Sequence, residues 1–150
     1  MIALKPGSAA PPIPGVDFRA GPTALWFYKV TCPVCQMAAP VAQALSDAHP
    51  GRFVGIGQDP PERLDAFHRD YGLGFGSLTD LPPYDISDAY GIQVVPTLFV
   101  VATDGTIVDS VWSWDRHGYG RVGRELAESL GTSPADLSGV TAGLPVFRPG

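Results

Sequence analysis

The sequence predicts an α/β domain built on a central mixed β-sheet, and three observations carry that reading. Apolar runs of strand length alternate along the chain with segments whose apolar residues recur at helical spacing. An Asp104-Gly105 pair between two apolar runs marks a hairpin, so part of the sheet is antiparallel. The two cysteines, Cys32 and Cys35, stand where the first strand gives way to the first helix. A length of 150 residues fits one domain over 1–150.

Residues 1–22, rich in proline and glycine, are expected to form an extended arm on the surface, with Val16 and Phe18 as anchors. Residues 23–29 form an apolar run of strand length, expected to be buried on both faces and therefore central. From Cys32 the period changes: Met37, Val41, Ala44 and Ala48 fall on one helical face, and the helix stops at Pro50-Gly51. Pro40 lies inside it and predicts a kink. Residues 52–58 form a second strand. Asp59 before two prolines reads as a helix N-cap, with Leu64, Phe67, His68 and Tyr71 on the inward face of the helix that follows. A glycine-rich turn over 72–76 leads to a short strand near 77–79, and residues 86–90 make a helical turn. Residues 97–102 and 106–112 are the strands of the hairpin. A last helix closes over 125–130 and ends at Gly131, and residues 131–150 are expected to be a loose tail. The order β-α-β-α-β-α-β-β-α predicts helices layered on a mixed sheet.

Composition excludes several classes. Charged residues make up 17% of the chain and hydrophobic ones 45%, too apolar for a disordered protein. A formal charge of −5 argues against a surface that tracks nucleic-acid phosphates. No apolar run reaches the roughly 18 residues of a membrane span. The opening residues lack the apolar stretch of a signal peptide. That predicts a cytoplasmic protein, or an exported one whose leader has been removed. A monomer is expected.

The chemistry centres on Cys32-Pro-Val-Cys35. A zinc site would need a second cysteine pair, and His49, His68 and His117 lack ligand spacing, so no metal is expected. As a staple the pair closes only a short loop, worth about 2 kcal/mol against roughly 3 for a loop of 15 residues. A dithiol that opens and closes is the better reading. Free N–H groups and the positive dipole end at a helix N-terminus favour a thiolate at Cys32, and Pro33 suits the first turn. Cys35, one turn further in, faces the core. Cys32 is therefore expected to attack and Cys35 to resolve the mixed disulfide.

These residues resemble the thioredoxin superfamily. The likeness lies in the strand Leu25-Trp-Phe-Tyr leading to Cys32-Pro-Val-Cys35, in the helix Cys35-Gln-Met-Ala-Ala-Pro40, and in Val94-Val-Pro-Thr-Leu-Phe99 before the hairpin. The last is similar to the family's cis-proline loop. The block from Gln58 to Asp80 and the leading segment 5–18 are similar to the TlpA/ResA branch and to peroxiredoxins. The resemblance, covering about residues 5–130, implies a thioredoxin-like fold of three layers, α/β/α, with an N-terminal extension and a central insertion. It implies a thiol–disulfide oxidoreductase that needs no cofactor. Its partners would be protein thiols and disulfides and a dithiol electron donor or acceptor. It places Thr31, Val95 and Pro96 at the substrate, with a cis bond before Pro96.

Departures from the family pattern are specific. Thr31 replaces the tryptophan usual before the first cysteine, Trp26 stands where thioredoxin has a buried aspartate, and Ala38 stands where ResA-like proteins have a glutamate. Both carboxylates customary for deprotonating the resolving thiol are absent, leaving Lys29 or a water. Two other readings stand beside the oxidoreductase: a peroxiredoxin-like peroxidase and a non-catalytic binding module. The peroxidatic pattern Pro-x-x-x-Thr-x-x-Cys fails in both registers, with Lys29 and Leu25 in its positions before Cys32, and Cys32 and Tyr28 before Cys35. His49 and His68 read as solvated or capping residues. Of Trp112 and Trp114, one is expected in the core and the other beside the substrate groove.

Overall fold

The computed structural model describes residues 3–150. Its central sheet has five strands: β1 (Thr23–Tyr28), β2 (Phe53–Gly57), β3 (Gly76–Thr79), β4 (Thr97–Val101) and β5 (Ile107–Trp112). They lie in the order β3-β2-β1-β4-β5. β2 runs parallel to β1 and β3, whereas β4 is antiparallel to both β1 and β5, so the sheet is mixed. The helices are α1 (Pro33–Ala48), α2 (Pro61–Tyr71), α3 (Asp85–Ala89), α4 (Arg116–Leu130) and α5 (Ser138–Thr141). A ribbon of β6 (Trp114–Asp115) and β7 (Phe147–Arg148) stands apart from the main sheet.

All six residues of β1 are buried, as its central place requires. Strand alternation then divides the core. Ala24, Trp26 and Tyr28 face α1, α2 and α4, while Leu25 and Phe27 face the N-terminal arm and the α3 region. The result is three layers around one sheet. Among the described residues no helix is long and apolar enough to cross a membrane.

The arm is extended and stitched to the β5 side of the sheet. Gly7 N–H donates to Ile107 O at 2.8 Å, Ile107 N–H to Ser8 O at 2.8 Å, and Ala10 N–H to Gly105 O at 2.8 Å. Its deepest anchors are Ala3 and Ile13, with Val16 and Phe18 only partly buried. Met1 and Ile2 lie outside the described residues.

Three expectations are corrected. The last helix begins at Arg116, nine residues before the expected segment, with the Asp115 carboxylate accepting from Gly118 N–H at 3.2 Å as its cap. Its glycines obscured it, yet Gly118 packs where a side chain would collide with Val111. Asp59 does not cap α2, whose N-cap is Pro60; with prolines at the two positions that follow it, its carboxylate turns instead to the loop after β1. The tail over 131–150 is docked rather than loose. The Trp114 indole N–H donates to Pro145 O at 2.7 Å, the Arg116 guanidinium to Thr141 O at 3.2 Å and to Leu144 O, and β7 pairs with β6. Buried donors on the domain must find acceptors, and the tail's carbonyls supply them.

Candidate active site

The site forms where β1 ends and β4 begins. Their antiparallel register pairs Phe27 with Thr97, so residues after 28 and residues before 97 emerge at the same end of the sheet. The loop after β1 is held at Val30. Its N–H donates to Asp59 Oδ2 at 2.8 Å, and its carbonyl accepts from Gln36 Nε2 at 2.9 Å. Cys32 N–H then closes a turn on Lys29 O at 3.1 Å, and α1 begins at Pro33.

Cys32 is itself the N-cap of α1. Its backbone is extended, and its sulfur accepts the Cys35 N–H at 3.2 Å, one of the donors that a helix N-terminus leaves unpaired. Its thiol also reaches Val95 O at 3.5 Å. Both cysteines are free thiols; Cys32 is half-buried and Cys35 is fully buried. The hydrogen bond from the Cys35 thiol, above all, pulls Cys32 down to about 6, against the resistance of burial. The N–H groups of Cys35 and Val34 and the charge of Arg148 pull the same way. Cys35 moves in the opposite direction, pushed up by burial and then by Cys32.

Across the gap, the Val95–Pro96 bond is cis. Thr97 Oγ1 donates to Val94 O at 2.8 Å, and Pro96 O accepts the N–H of Ser113 at 2.8 Å. Ser113 follows β5, whose Trp112 pairs with Thr97, and takes a left-handed backbone with φ of 61°.

Among the residues named from the sequence, Cys32, Cys35 and Val95 are brought together. Thr31 is exposed beside Cys32, and Pro96 is buried behind Val95. Trp26 and Ala38 are both wholly buried. His49 is the C-cap of α1 but lies buried rather than solvated, its charged form disfavoured by that burial. His68 joins a polar cluster under α2, with Nε2 at 2.7 Å from Ser77 Oγ and 3.2 Å from the Tyr28 hydroxyl. Trp114 is in the core, and Trp112 is exposed on the hairpin beside Val94 and Thr97. Sequence reasoning missed Asp59, Gln36, Ser113 and the tail at this site. An aspartate followed by two prolines was the one available signal, since proline offers no N–H to a cap.

A model of the AhpC/TSA family matches residues 12–110, and the chain belongs to that family. The soluble secreted antigen MPT53 of Mycobacterium tuberculosis is 30% identical over 97 residues, 63% of this chain and 56% of that protein. The chain thus spans about half the length of the curated relatives it matches. Among solved structures, a secreted Mycobacterium tuberculosis disulfide oxidoreductase homologous to E. coli DsbE aligns with TM-score 0.56 and 29% identity, over 63% of this chain and 70% of that one. A structure of MTB dsbF in mixed oxidized and reduced forms aligns with TM-score 0.61 and 27% identity, over 72% of this chain and 80% of that one. The thioredoxin domain of a thiol-disulfide oxidoreductase from Bacteroides vulgatus aligns with TM-score 0.70 and 20% identity, over 83% of this chain and 99% of that one, and shows the thioredoxin-like fold. The cytoplasmic expectation is overturned: the antigen MPT53 and the Mycobacterium tuberculosis disulfide oxidoreductase that this chain resembles are secreted proteins. It had rested on the opening residues alone.

Proposed function

We propose that the chain is a thiol–disulfide oxidoreductase acting on protein disulfides, as an exported monomer. The observation that carries the reading is the Cys32 sulfur capping α1 while lying 3.5 Å from Val95 O. With its thiol near 6, Cys32 is about nine-tenths thiolate at pH 7. The thiolate attacks one sulfur of a substrate disulfide, forming a mixed disulfide and releasing the other sulfur as a thiolate that takes a proton. Cys35 then gives up its proton, attacks Cys32 and releases the second substrate thiol. Two electrons pass to the substrate, and Cys32 and Cys35 end as a disulfide. The cycle also runs in reverse, and an outside dithiol or disulfide resets it.

Roles for the remaining residues follow from position. The Val95 backbone offers an extended substrate a strand-like edge beside Cys32, Pro96 fixes that edge, and exposed Thr31 borders it. Secreted relatives support an exported location, where disulfides persist. Peroxide is the lesser substrate, because Lys29 and Leu25 fill the positions that would polarise it.

Insulin reduction with dithiothreitol tests the reading. The wild-type chain is expected to reduce insulin and Cys32→Ser to lose the activity. Equal rates in the two would refute it, and peroxide turnover outpacing disulfide reduction would favour the peroxidase.

A further inference from the structure

Residues 145–150 approach the site from the β6–β7 ribbon. Pro145 O accepts the Trp114 indole N–H at 2.7 Å, and Val146 O accepts the Arg116 N–H at 2.9 Å. Phe147 then pairs with Asp115 and Arg148 with Trp114. The Arg148 guanidinium reaches Met37 Sδ at 4.0 Å, on the second turn of α1. Beyond β7 the chain crosses to the start of β4. Gly150 N–H donates to Ser113 Oγ at 2.9 Å, and a side chain on Gly150 would collide with Val95 O. That oxygen is the same one the Cys32 thiol approaches.

This last contact is lightly held. Residues 146–150 are all exposed, Pro149 has no N–H to give, and among the described residues a single hydrogen bond, to Ser113, holds the chain past β7. Ser113 couples the two partners: its N–H holds Pro96 O while its hydroxyl holds Gly150. An extended peptide pairing with the Val95 backbone would need the space that Gly150 fills.

We propose that residues 149–150 are a displaceable cover on the Val95 edge, which the peptide flanking a substrate disulfide pushes aside. The proposal rests on the docking role given to Val95 above. The cover is an internal competitor, so it raises the apparent Kd for substrate by the inverse of the fraction of time it is open.

Two variants test it, a chain ending at Arg148 and Gly150→Val; both keep β7 and the Arg148 charge. Cys32 labelling is measured in the Cys35→Ser background with fluorescein maleimide and with iodoacetamide. Insulin reduction is measured with both cysteines present. Loss of one ordinary hydrogen bond predicts about fivefold faster maleimide labelling and an insulin KM lower by about the same factor, with kcat unchanged. Iodoacetamide, small enough to pass the cover, labels all chains alike. An unchanged KM in variants that reduce insulin overturns the proposal, as does an unchanged maleimide rate. If no chain reduces insulin, the oxidoreductase reading fails, and the maleimide ratio alone decides whether the cover exists.

Discussion

The indole N–H of Trp26 on β1 donates to the hydroxyl oxygen of Tyr119 on α4 at 2.9 Å, with both side chains wholly buried. The resemblance to thioredoxin would put a buried aspartate at the Trp26 position, and here an uncharged pair fills it. Trp26 stacks on Tyr28 with ring centroids 4.6 Å apart, and Trp114 lies 4.8 Å from Tyr119. Burial raises the Tyr119 hydroxyl far above its ordinary value, so it stays neutral. The core cluster that holds Cys35 is therefore aromatic and uncharged on this side.

Replacing Tyr119 with Phe leaves the Trp26 N–H buried without an acceptor. Such an orphan costs about 1–3 kcal/mol. Urea unfolding of Tyr119→Phe is expected to show a loss in that range. A double variant that also carries Trp26→Phe is expected to recover part of it, since no donor is then stranded.

Thiolate formation at Cys32 sets its labelling rate. Because the folded thiol lies near 6, the iodoacetamide rate should rise with pH, reach half its maximum at about 6, and level off by neutrality. Cys35, pushed up by burial, should stay unlabelled across that range. A midpoint near the ordinary thiol value would remove the account of Cys32 as a thiolate held by the Cys35 thiol and the first N–H groups of α1.

Asp59, buried in the turn before α2, is expected to matter for stability. Asp59→Ala strands the Val30 N–H two residues before Cys32, at a cost of about 1–3 kcal/mol. Asp59→Asn, which keeps an acceptor oxygen, is expected to retain most of the stability. Equal denaturation midpoints for Ala and wild type would mean that Gln36 alone holds the loop.

Glu125 carries a pH dependence away from the cysteines. Burial first, and then a hydrogen bond shared with Asp109, raises its carboxyl from 4.5 to about 8, while Arg121 holds Asp109 at 2.9 Å. The folded state therefore favours the protonated form. That contribution is fully present below the unfolded value and is lost as pH rises through about 8. Glu125→Gln should match wild type in Tm near pH 4.5 and exceed it at pH 8. A wild type that gains stability over that range relative to the variant would contradict the shift.

Periodicity made the sheet and the order of its helices readable, because burial on one or both faces leaves a direct mark on β1, α1 and α2. Cys32 and Cys35 were readable for the same reason: their spacing and their place at an element boundary are local. What escaped depends on contacts between distant parts of the chain. Asp59 looked like a cap because a carboxylate before a helix usually finds N–H groups there, and two prolines denied it them. The start of α4 was hidden by Gly118, Gly120 and Gly123, which propensity penalises and which packing against Val111 and Leu45 explains at two of the three. The docking of residues 141–145 hangs on the Trp114 and Arg116 side chains, and no local pattern reveals a carbonyl some thirty residues away.

The pairing of Phe27 with Thr97 also acts as a ruler. Cys32 hangs from the end of one strand and Val95 from the start of its neighbour, so their separation is measured out by the hydrogen-bond ladder between β1 and β4. A slip of one residue in that ladder would carry Val95 about 3.4 Å along β1 and turn Leu98, now opposite Trp26, to the other face of the sheet. The core thus penalises any misalignment of the two halves of the site far more heavily than the loops could. The outer strand β3 can lengthen, bulge or change its surface, and the spacing between the Cys32 sulfur and Val95 stays the same.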